Sequence, residues 1–393
     1  MGVVEGHCDA RFAPIRDIFA ASFASGEELG AAIAFCLDGE MVVDLWGGHR
    51  DVAQTQPWTR DTLVNTYSTT KGMTAICAHQ LLERGLLDLD APVAKYWPEF
   101  AAKDKGAIPV RWLLSHQAGL PAVRKPLTQE MLYDWNAMAA ALAAEEPWWE
   151  PGTRHGYHPL TFGFLVGEVI RRVSGQSVGA FFRENVAGPL GADFQIGLAA
   201  EHDARCSDLF GSLAPPSPAL GGRVIPGPLG AFLRDMIDPT TMAGAAFNNP
   251  PGRNDRVNTR EWRAAEIPAA NGHGTATSLA RIYGALARGG EVGGVRLLEP
   301  ASIEQARTEQ AFGPDAVLGG LPMRFGLGFM LRQDFMPISP NANAFGHPGA
   351  GGSIGMADPD AKVGFGYVMN KMKLGLVGGP GAFAVLRKFF KLL

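Results

Sequence analysis

Short apolar runs near both ends of the chain predict β-strands. Positions 31–47 hold two such runs, AIAFCL and MVVDLW, on either side of Asp38-Gly39. An Asp-Gly pair between apolar runs is the strongest short-range signal for a β-hairpin. Toward the other end, the runs SIGMA and AKVGFGYVMN flank Asp358-Pro359-Asp360 in the same way. The sequence therefore predicts one hairpin near each end of the chain.

Apolar residues at helical spacing predominate between these hairpins. The clearest helices are predicted over 72–84, which Gly85 ends, and over a stretch that contains Phe162 and Val173 and ends at Gly175. Further helices are predicted over 112–120, 127–144, 276–288 and Pro380–Leu392. The segment 148–152 (WWEPG) interrupts the helical region, and 211–230 is rich enough in proline and glycine to predict a long surface loop.

Strands at both ends with helices between them predict a fold of the α/β (α+β) class. We expect residues 1–73 and 270–393 to form one α/β domain that is built from both termini. Residues 74–269 would then form an inserted, mostly helical domain.

Composition narrows the classes of function. Of the 393 residues, 46% are hydrophobic and 19% are charged, and the formal net charge is −4. A mild acidic excess without a basic run argues against nucleic acid or an anionic membrane as a partner. No stretch of about 18 uninterrupted apolar residues predicts a membrane span. An N-terminus without an apolar signal region predicts a cytoplasmic location.

The cysteines and histidines predict neither a disulfide framework nor a metal site. The cysteines, which lie far apart and lack metal-ligand spacing, are Cys8, Cys36, Cys77 and Cys206. We expect free, buried thiols. His116, His155, His158 and His273 form no HxH or HxxxH pair with a carboxylate nearby, so structural roles are expected for them. Neither a metal nor a cofactor is predicted.

Two serine motifs compete for the role of nucleophile, and the first is Gly351-Gly352-Ser353-Ile354-Gly355. It matches the GxSxG elbow of α/β-hydrolases, in which a histidine that follows the serine takes its proton. No histidine follows Ser353 in this chain, and Ser353 opens a predicted strand instead of a helix. The elbow interpretation is therefore disfavoured.

The second motif, Ser68-Thr69-Thr70-Lys71, stands at the start of the predicted helix over 72–84. Helical spacing of three residues places the lysine amine beside the serine hydroxyl. The helix is nearly all apolar after Lys71, so we expect a buried amine with a lowered pKa that accepts or relays a proton. The alternative is an N-cap serine followed by a solvated lysine.

Tyr157 follows the Pro151-Gly152 break and precedes the second clear helix, a loop position suited to an active-site rim. A tyrosine near an ammonium can have a lowered pKa and act as a general base. Taken alone, Tyr157 would be a packing residue.

Three motifs in order carry a resemblance to a known family: Ser68-x-x-Lys71, Tyr157 ahead of a helix, and His347-Pro348-Gly349 at the head of a C-terminal strand. They resemble the signature motifs of the serine β-lactamase and penicillin-binding-protein superfamily, and within it the chain is most similar to the family VIII carboxylesterases. The likeness extends through nearly the whole chain, including VEGHCDARFAPIRDIF, VVDLWGG, WLLSHQAGLP and PAANGHGTATSLARIYGALARGG. It implies an antiparallel sheet flanked by helices, with the active site where the inserted helical domain meets it.

The resemblance also implies roles for individual residues. Ser68 would attack an ester carbonyl, while Lys71 and Tyr157 share its proton and Tyr157 protonates the leaving alcohol. The backbone N–H groups of Ser68 and Ala350 would form the oxyanion hole. The residues expected to contact the substrate are His347, Gly349, Gly351, His158 and Trp148.

Two departures from the lactamase pattern bear on the substrate. The tyrosine motif ends in Pro159 where the lactamases have an asparagine, and the third motif begins with His347 where they have a lysine. Proline donates no hydrogen bond, and histidine is mostly neutral at pH 7. Both changes favour neutral esters over β-lactams and peptidoglycan peptides.

We therefore expect a cytoplasmic serine carboxylesterase that acts on small or short-chain esters. A β-lactamase or DD-peptidase, an acyltransferase, and a non-catalytic ligand-binding module on the same scaffold remain alternatives. The oligomeric state is left open.

Overall fold

Segments from the two ends of the chain come together in one large sheet. A computed structural model describes residues 4–211, 219–220, 223–224, 226–373 and 379–393. Its strands are β1 (Glu5–Cys8), β2 (Gly30–Leu37), β3 (Glu40–Gly48), β4 (Leu63–Asn65), β5 (Phe194–Gln195), β6 (Cys206–Ser207), β7 (Ala219–Leu220), β8 (Arg223–Val224), β9 (His273–Gly274), β10 (Glu291–Val292), β11 (Val295–Arg296), β12 (Ala311–Pro314), β13 (Pro322–Phe325), β14 (Met330–Leu331), β15 (Phe345–Pro348), β16 (Ile354–Asp358) and β17 (Val363–Met369).

Both predicted hairpins are present, and they pair with each other. The nine-stranded sheet has the order β1-β3-β2-β17-β16-β15-β14-β13-β12, and its neighbours are antiparallel. Asp38 and Gly39, with φ values of 46° and 92°, form the left-handed turn between β2 and β3. β2 and β17 pair along their whole length, from Leu37 opposite Val363 to Ala31 opposite Met369. The antiparallel sheet implied by the family resemblance is thus confirmed.

The helices are α1 (Ala13–Ala24), α2 (Thr70–Glu83), α3 (Val110–Leu114), α4 (Gln129–Tyr133), α5 (Trp135–Ala144), α6 (Thr161–Ser174), α7 (Val178–Phe182), α8 (Gly188–Leu190), α9 (Gly227–Ile237), α10 (Met242–Asn248), α11 (Arg260–Ala264), α12 (Ala276–Ala287), α13 (Pro300–Arg307) and α14 (Pro380–Leu392). The predicted helices at α2, α6, α12 and α14 are confirmed. Gly175 ends α6 in the left-handed conformation, with φ of 74°.

Two predicted helices differ from the structure. The helix expected over 112–120 is α3 and ends at Leu114, because the Ser115 hydroxyl bonds back to the Arg111 carbonyl and His116 turns the chain with φ of 62°. The helix expected over 127–144 is split into α4 and α5. Asp134 stops the first helix and caps the second, since its carboxylate accepts from the Ala137 N–H at 3.1 Å.

Half of the loop predicted over 211–230 lies outside the described residues, and its last part belongs to α9, which begins at Gly227. A second sheet of order β5-β9-β4-β6 was not predicted. Its strands are two or three residues long, too short to show alternation of apolar and polar residues.

Glycines let α12 lie directly on the large sheet. A Cβ at Gly364 would fall 2.1 Å from the Gly284 nitrogen, and one at Gly366 would fall 2.1 Å from the Ala276 carbonyl oxygen. On the other face α14 brings the Phe389 ring to 3.8 Å from Phe35 and 4.6 Å from Phe12, measured between centroids. Helices therefore cover both faces of a sheet that both termini build. The division of the chain into an α/β domain and an inserted helical domain stays a prediction.

All four cysteines are free, as expected, but only Cys36 and Cys77 are buried, whereas Cys8 and Cys206 are partly exposed. In the part of the chain that is described, no helix has the length and apolar character needed to cross a membrane.

Candidate active site

Ser68 lies in a tight turn at the start of α2. The turn is a single 3₁₀ turn, Tyr67–Thr69, that runs directly into the helix at Thr70. Tyr67 has φ of 44°, in the left-handed region that a bulky residue rarely adopts. Ser68 is partly exposed, whereas Tyr67, Thr69 and Thr70 around it are buried. The backbone therefore presents Ser68 alone to an incoming substrate.

Lys71 is fully buried, as predicted, and its Nζ faces Ser68. Nζ lies 3.1 Å from Ser68 Oγ, 2.7 Å from the Pro159 carbonyl oxygen and 3.0 Å from the Ala269 carbonyl oxygen. The two carbonyls can only accept, so they fix two N–H bonds of the amine. The third position of the nitrogen, proton or lone pair, is thereby directed at the serine hydroxyl.

Tyr157 completes the cluster, since its hydroxyl is hydrogen-bonded to the Ser68 side chain. Lys71 Nζ lies 4.8 Å from the centroid of its ring. We expected the lysine charge to lower the pKa of Tyr157. Instead, complete burial raises the pKa of the phenol, against a smaller lowering from the bond to Ser68. Tyr157 is consequently a proton donor at rest.

Asp315, in the loop between β12 and β13, holds the backbone at Tyr157 and was not singled out in the sequence. Its fully buried carboxylate accepts from the Tyr157 N–H at 2.9 Å and from the Val317 and Leu318 N–H groups, both at 2.9 Å. Burial raises the pKa of this carboxyl to about 6. The sequence gives no signal for Asp315, because its partners are backbone amides, one of them more than 150 positions away.

His347 is the third residue of β15, so the motif expected at the head of a C-terminal strand lies instead at the end of one. Its ring is buried beside Tyr157, with 5.9 Å between ring centroids. Its Nδ1 is 2.7 Å from the Pro348 carbonyl oxygen, which makes Nδ1 the protonated nitrogen. Nε2 is buried and has no partner among the described residues. Burial, followed by the charge of Lys71, lowers the pKa of His347 to about 3. The ring is therefore neutral, with an acceptor at Nε2.

His158 has no ring atom left for a substrate. It is fully buried, its Nδ1 donates to the Gly156 carbonyl at 2.6 Å, and its Nε2 accepts from the Leu120 N–H at 3.1 Å. His158 joins the two loops on either side of the site. These contacts do not favour the expected substrate contact and indicate a positioning role.

The expected oxyanion donors lie on two adjoining segments. Within the described residues, neither the Ser68 nor the Ala350 N–H donates a hydrogen bond. Ser353 links their segments, since its hydroxyl donates to the Thr66 carbonyl at 2.6 Å and lies 2.9 Å from Thr69 Oγ1. One of the two oxygens that the Ser353 hydroxyl contacts lies in the Ser68 turn, and the other belongs to the residue just before it. The serine of the competing elbow motif is thus buried and engaged in positioning.

Gly349 and Gly351 are required by the backbone. A Cβ at Gly349 would fall 2.1 Å from the Thr66 carbonyl oxygen, so only glycine lets the 349–353 turn approach the Ser68 turn. Gly351 has φ of 82° and packs against Met372. These contacts explain both glycines without a substrate.

Trp148 borders a second hydrophobic cluster that includes Tyr157. Its Nε1 donates to the Ala122 carbonyl at 2.9 Å, and the Arg124 guanidinium lies 4.2 Å from its ring. The buried members of this Tyr157 cluster are Ala122, Tyr157, Phe232, Leu233, Met236, Ala243, Ala246, Phe247, Val317, Leu318, Met323, Phe325 and Met330. Several come from α9 and α10, which therefore cover one side of the site.

Among the described residues, no group of three or more histidine, cysteine or carboxylate side chains could hold a metal ion. The arrangement is that of an activated serine: a hydroxyl between a buried amine and a protonated phenol.

The chain is similar to known proteins over nearly its whole length. The protein family described as Beta-lactamase matches residues 15–379. The esterase/beta-lactamase LipL of Mycobacterium tuberculosis is 38% identical, over 98% of this chain and 88% of that protein. The crystal structure of a family VIII carboxylesterase has a TM-score of 0.89 and 41% identity, with both chains fully covered. A penicillin-binding-protein homologue from Caulobacter crescentus has a TM-score of 0.88 and 39% identity, again with full coverage.

The similarity to family VIII carboxylesterases that the three motifs indicate is therefore confirmed over the whole chain. The match extends well beyond the motifs and covers the full length of both chains. On this evidence the chain belongs to the beta-lactamase family of serine hydrolases.

Proposed function

We propose that this protein is a serine carboxylesterase that hydrolyses small or short-chain esters through an acyl-enzyme on Ser68. The observation that carries the proposal is the position of Lys71. Two carbonyl oxygens hold its Nζ, and the remaining position of the nitrogen points at Ser68 Oγ, 3.1 Å away. A buried amine held in this way is arranged to take the serine proton as the hydroxyl attacks.

In the acylation step, Ser68 Oγ forms a bond to the ester carbonyl carbon while its proton moves to Lys71. The carbonyl oxygen becomes an oxyanion, for which the unengaged N–H groups of Ser68 and Ala350 are the donors. The carbon–oxygen bond to the alcohol then breaks, and the alcohol leaves with the proton of Tyr157. Lys71 returns a proton to Tyr157, which burial keeps protonated at rest. Water releases the acid by the same steps in reverse order.

The surroundings of the site favour an uncharged substrate. His347 occupies the position at which the lactamase pattern has a lysine, and the lowered pKa of its ring keeps it neutral. The Pro159 carbonyl is already bonded to Lys71 at 2.7 Å. Neither residue offers a cation or an N–H donor to a substrate carboxylate or amide. The relatives that match the whole chain include proteins described as a carboxylesterase and as an esterase/beta-lactamase.

The proposal is tested by intact mass after incubation with a fluorophosphonate, followed by mapping of the adduct. We expect a single adduct on Ser68 that does not form in Ser68→Ala, and loss of p-nitrophenyl butyrate hydrolysis in the same variant. Ser353→Ala is the matched control. It removes the bonds to Thr66 and Thr69, and we expect it to lower turnover but leave it measurable. An adduct on Ser353, or no adduct and no turnover in the wild-type protein, would contradict the proposal.

A further inference from the structure

The turn that carries Ala350 is fastened from its outer side by a short segment, Asn370, Lys371, Met372 and Lys373, which follows β17 directly. We call these four residues the strap. The Lys373 N–H donates to the Gly351 carbonyl at 2.8 Å, and the Met372 N–H donates to the Phe210 carbonyl at 2.7 Å. The strap therefore holds the residue next to Ala350 by a backbone hydrogen bond.

A buried ion pair fixes the strap in turn. Lys373 Nζ lies 2.5 Å from Glu28 Oε1, with side-chain exposures of 13% and 1%. The Tyr367 hydroxyl, on β17, donates to the same oxygen. Glu28 lies between α1 and β2, and Asn370 reaches the first residue of β2, because its Oδ1 accepts from the Gly30 N–H at 2.9 Å. Glu28 thus ties the strap to the middle of the large sheet.

Only one oxygen of the Glu28 carboxylate has partners among the described residues, namely Lys373 and Tyr367. Glu28 Oε2 is buried and has no hydrogen-bond partner among the described residues. A buried carboxylate left half satisfied lowers stability, since packed apolar residues in its place would cost less. The ion pair between Glu28 and Lys373 instead serves to hold Lys373 beside the 349–353 turn.

From these contacts we infer that Glu28 and Lys373 are positioning residues for the oxyanion donor at Ala350, an inference that rests on the proposed function. When the pair is intact, the Lys373 N–H holds the Gly351 carbonyl, two peptide units after the one that carries the Ala350 N–H, and so restricts movement of the turn from which that N–H points. Loss of the Glu28–Lys373 ion pair loosens the contact between the strap and the 349–353 turn. The inner side stays bonded through Ser353 to the Ser68 turn. The expected defect is therefore in oxyanion stabilisation, with Ser68, Lys71 and Tyr157 still in place.

Glu28→Gln and Lys373→Met are the test variants, and Glu168→Gln is the matched control. Glu168 is also fully buried and bonded to two arginines, at 2.8 Å to Arg171 and 2.7 Å to Arg172, but it lies on α6 and has no contact with the strap. Any effect that arises only from loss of a buried ion pair appears in all three variants.

Two measurements on the full chain separate the inference from the proposed function. Hydrogen exchange of the peptide that covers 349–357 should quicken in Glu28→Gln and Lys373→Met but not in Glu168→Gln. For p-nitrophenyl butyrate we expect kcat to fall about tenfold with KM within a factor of two, as for a weakened oxyanion donor. The double variant should be no worse than either single one, and Lys373→Arg should recover most of the loss.

Unchanged exchange at 349–357 in folded test variants overturns the inference, as does an equal loss of kcat in Glu168→Gln. Another outcome is quickened exchange at 349–357 in the test variants while the wild-type protein hydrolyses no ester. That result supports the contact between the strap and the turn and contradicts the proposed function. If a substituted chain does not fold, Tyr367→Phe removes one bond to the same carboxylate and keeps the ion pair. It should show the same direction of change at smaller size, and its failure to do so counts against the inference.

Discussion

At the scale of single residues, Lys71 is the group on which the proposed chemistry depends most. Its amine is buried and bonded to two carbonyls that belong to distant segments, at Pro159 and Ala269. The N–H groups of an amine in such a place are satisfied by protein acceptors and not by water. The same contacts that bury the amine also aim it at Ser68, so burial and proton transfer have one structural cause.

We predict that Lys71→Met and Tyr157→Phe each lower kcat for a p-nitrophenyl ester by roughly 10³-fold or more, as linked catalytic groups do. The double variant should be hardly worse than either single one, because both groups handle the same proton. Methionine is used because it keeps much of the lysine volume. Steady-state kinetics with circular dichroism as a check on folding measures this, and additive losses would return Tyr157 to a packing role.

Lys71→Met should also lower the free energy of unfolding. It leaves the carbonyls of Pro159 and Ala269 without their donor, and each unsatisfied buried acceptor costs about 1–3 kcal/mol. Tyr157→Phe leaves no such pair of carbonyls behind, so its unfolding in urea should stay closer to that of the wild type.

We predict poor turnover of β-lactams relative to esters. His347 is neutral and presents only an acceptor, so the site lacks the charge-assisted bond to a substrate carboxylate, which is worth about 1.5–3 kcal/mol. The kcat/KM for a cephalosporin should accordingly be about 100-fold or more below that for a p-nitrophenyl butyrate control measured on the same preparation. Comparable values for the two substrates would favour the β-lactamase alternative.

At the scale of elements, the loop between β12 and β13 places Tyr157 through Asp315. When the pH falls through about 6, the pKa of this carboxyl, the carboxylate takes up a proton and becomes a weaker acceptor for the Tyr157 N–H. His155, whose Nε2 lies 4.0 Å from Asp315, does not supply a compensating charge, because burial lowers its pKa. We therefore expect kcat to fall on the acid side of the pH profile.

We predict that kcat falls about tenfold between pH 7 and pH 5, following the ionised fraction of a group with this pKa. Because the folded-state pKa is raised, the folded protein keeps the proton over pH 4 to 6, so the stability contributed by Asp315 falls as pH rises through that window. Activity and stability should therefore change in opposite directions. Asp315→Asn should remove this acid limb and this slope in urea unfolding, and an unaltered profile would exclude Asp315 as its source.

The sequence predicts elements best where one pattern runs without interruption. The uniform apolar face and the closing glycine of α6 predict that helix from the sequence. The Asp-Gly turn predicts the first hairpin in the same way. The helix expected over 112–120 is wrong because His116 adopts a left-handed backbone conformation just after the last helical hydrogen bond, from the Ser115 N–H to the Arg111 carbonyl. The motif residues Ser68, Lys71 and Tyr157 come together as expected, whereas the role of Asp315 depends on contacts that no local pattern records.

At the scale of the whole molecule, both termini support the central sheet. The terminal helix α14 covers it, and the buried Phe389 ring stacks between Phe12 and Phe35. The composition and the order of the predicted elements indicate in outline that both ends of the chain build one sheet. They do not predict the small sheet of β4, β5, β6 and β9. Its strands are short, and each pairs with a strand far along the chain, so no local pattern marks them.

We predict that Phe389→Ala lowers the free energy of unfolding by about 3–5 kcal/mol, as loss of a buried phenylalanine usually does. The ring is remote from Ser68, so kcat per folded molecule should stay within a factor of two. Urea unfolding and active-site titration with a fluorophosphonate measure the two quantities separately. Phe390→Ala, next along α14 and only partly buried, is the control, and an equal loss of stability in it would contradict the specific stacking.

The pairing of β2 with β17 has a consequence for how the protein is made. The Gly30 N–H and the Asn370 side chain that it bonds to are 340 positions apart. At a synthesis rate of 5–20 residues per second, roughly 17 to 70 s pass between the emergence of the first residue and that of the second. During that time the ribosome displays a strand of eight residues, Gly30–Leu37, seven of which are buried in the finished protein. The edge of this strand that pairs with β17 therefore stays without its partner until that part of the chain has been made, and slower translation lengthens its exposure.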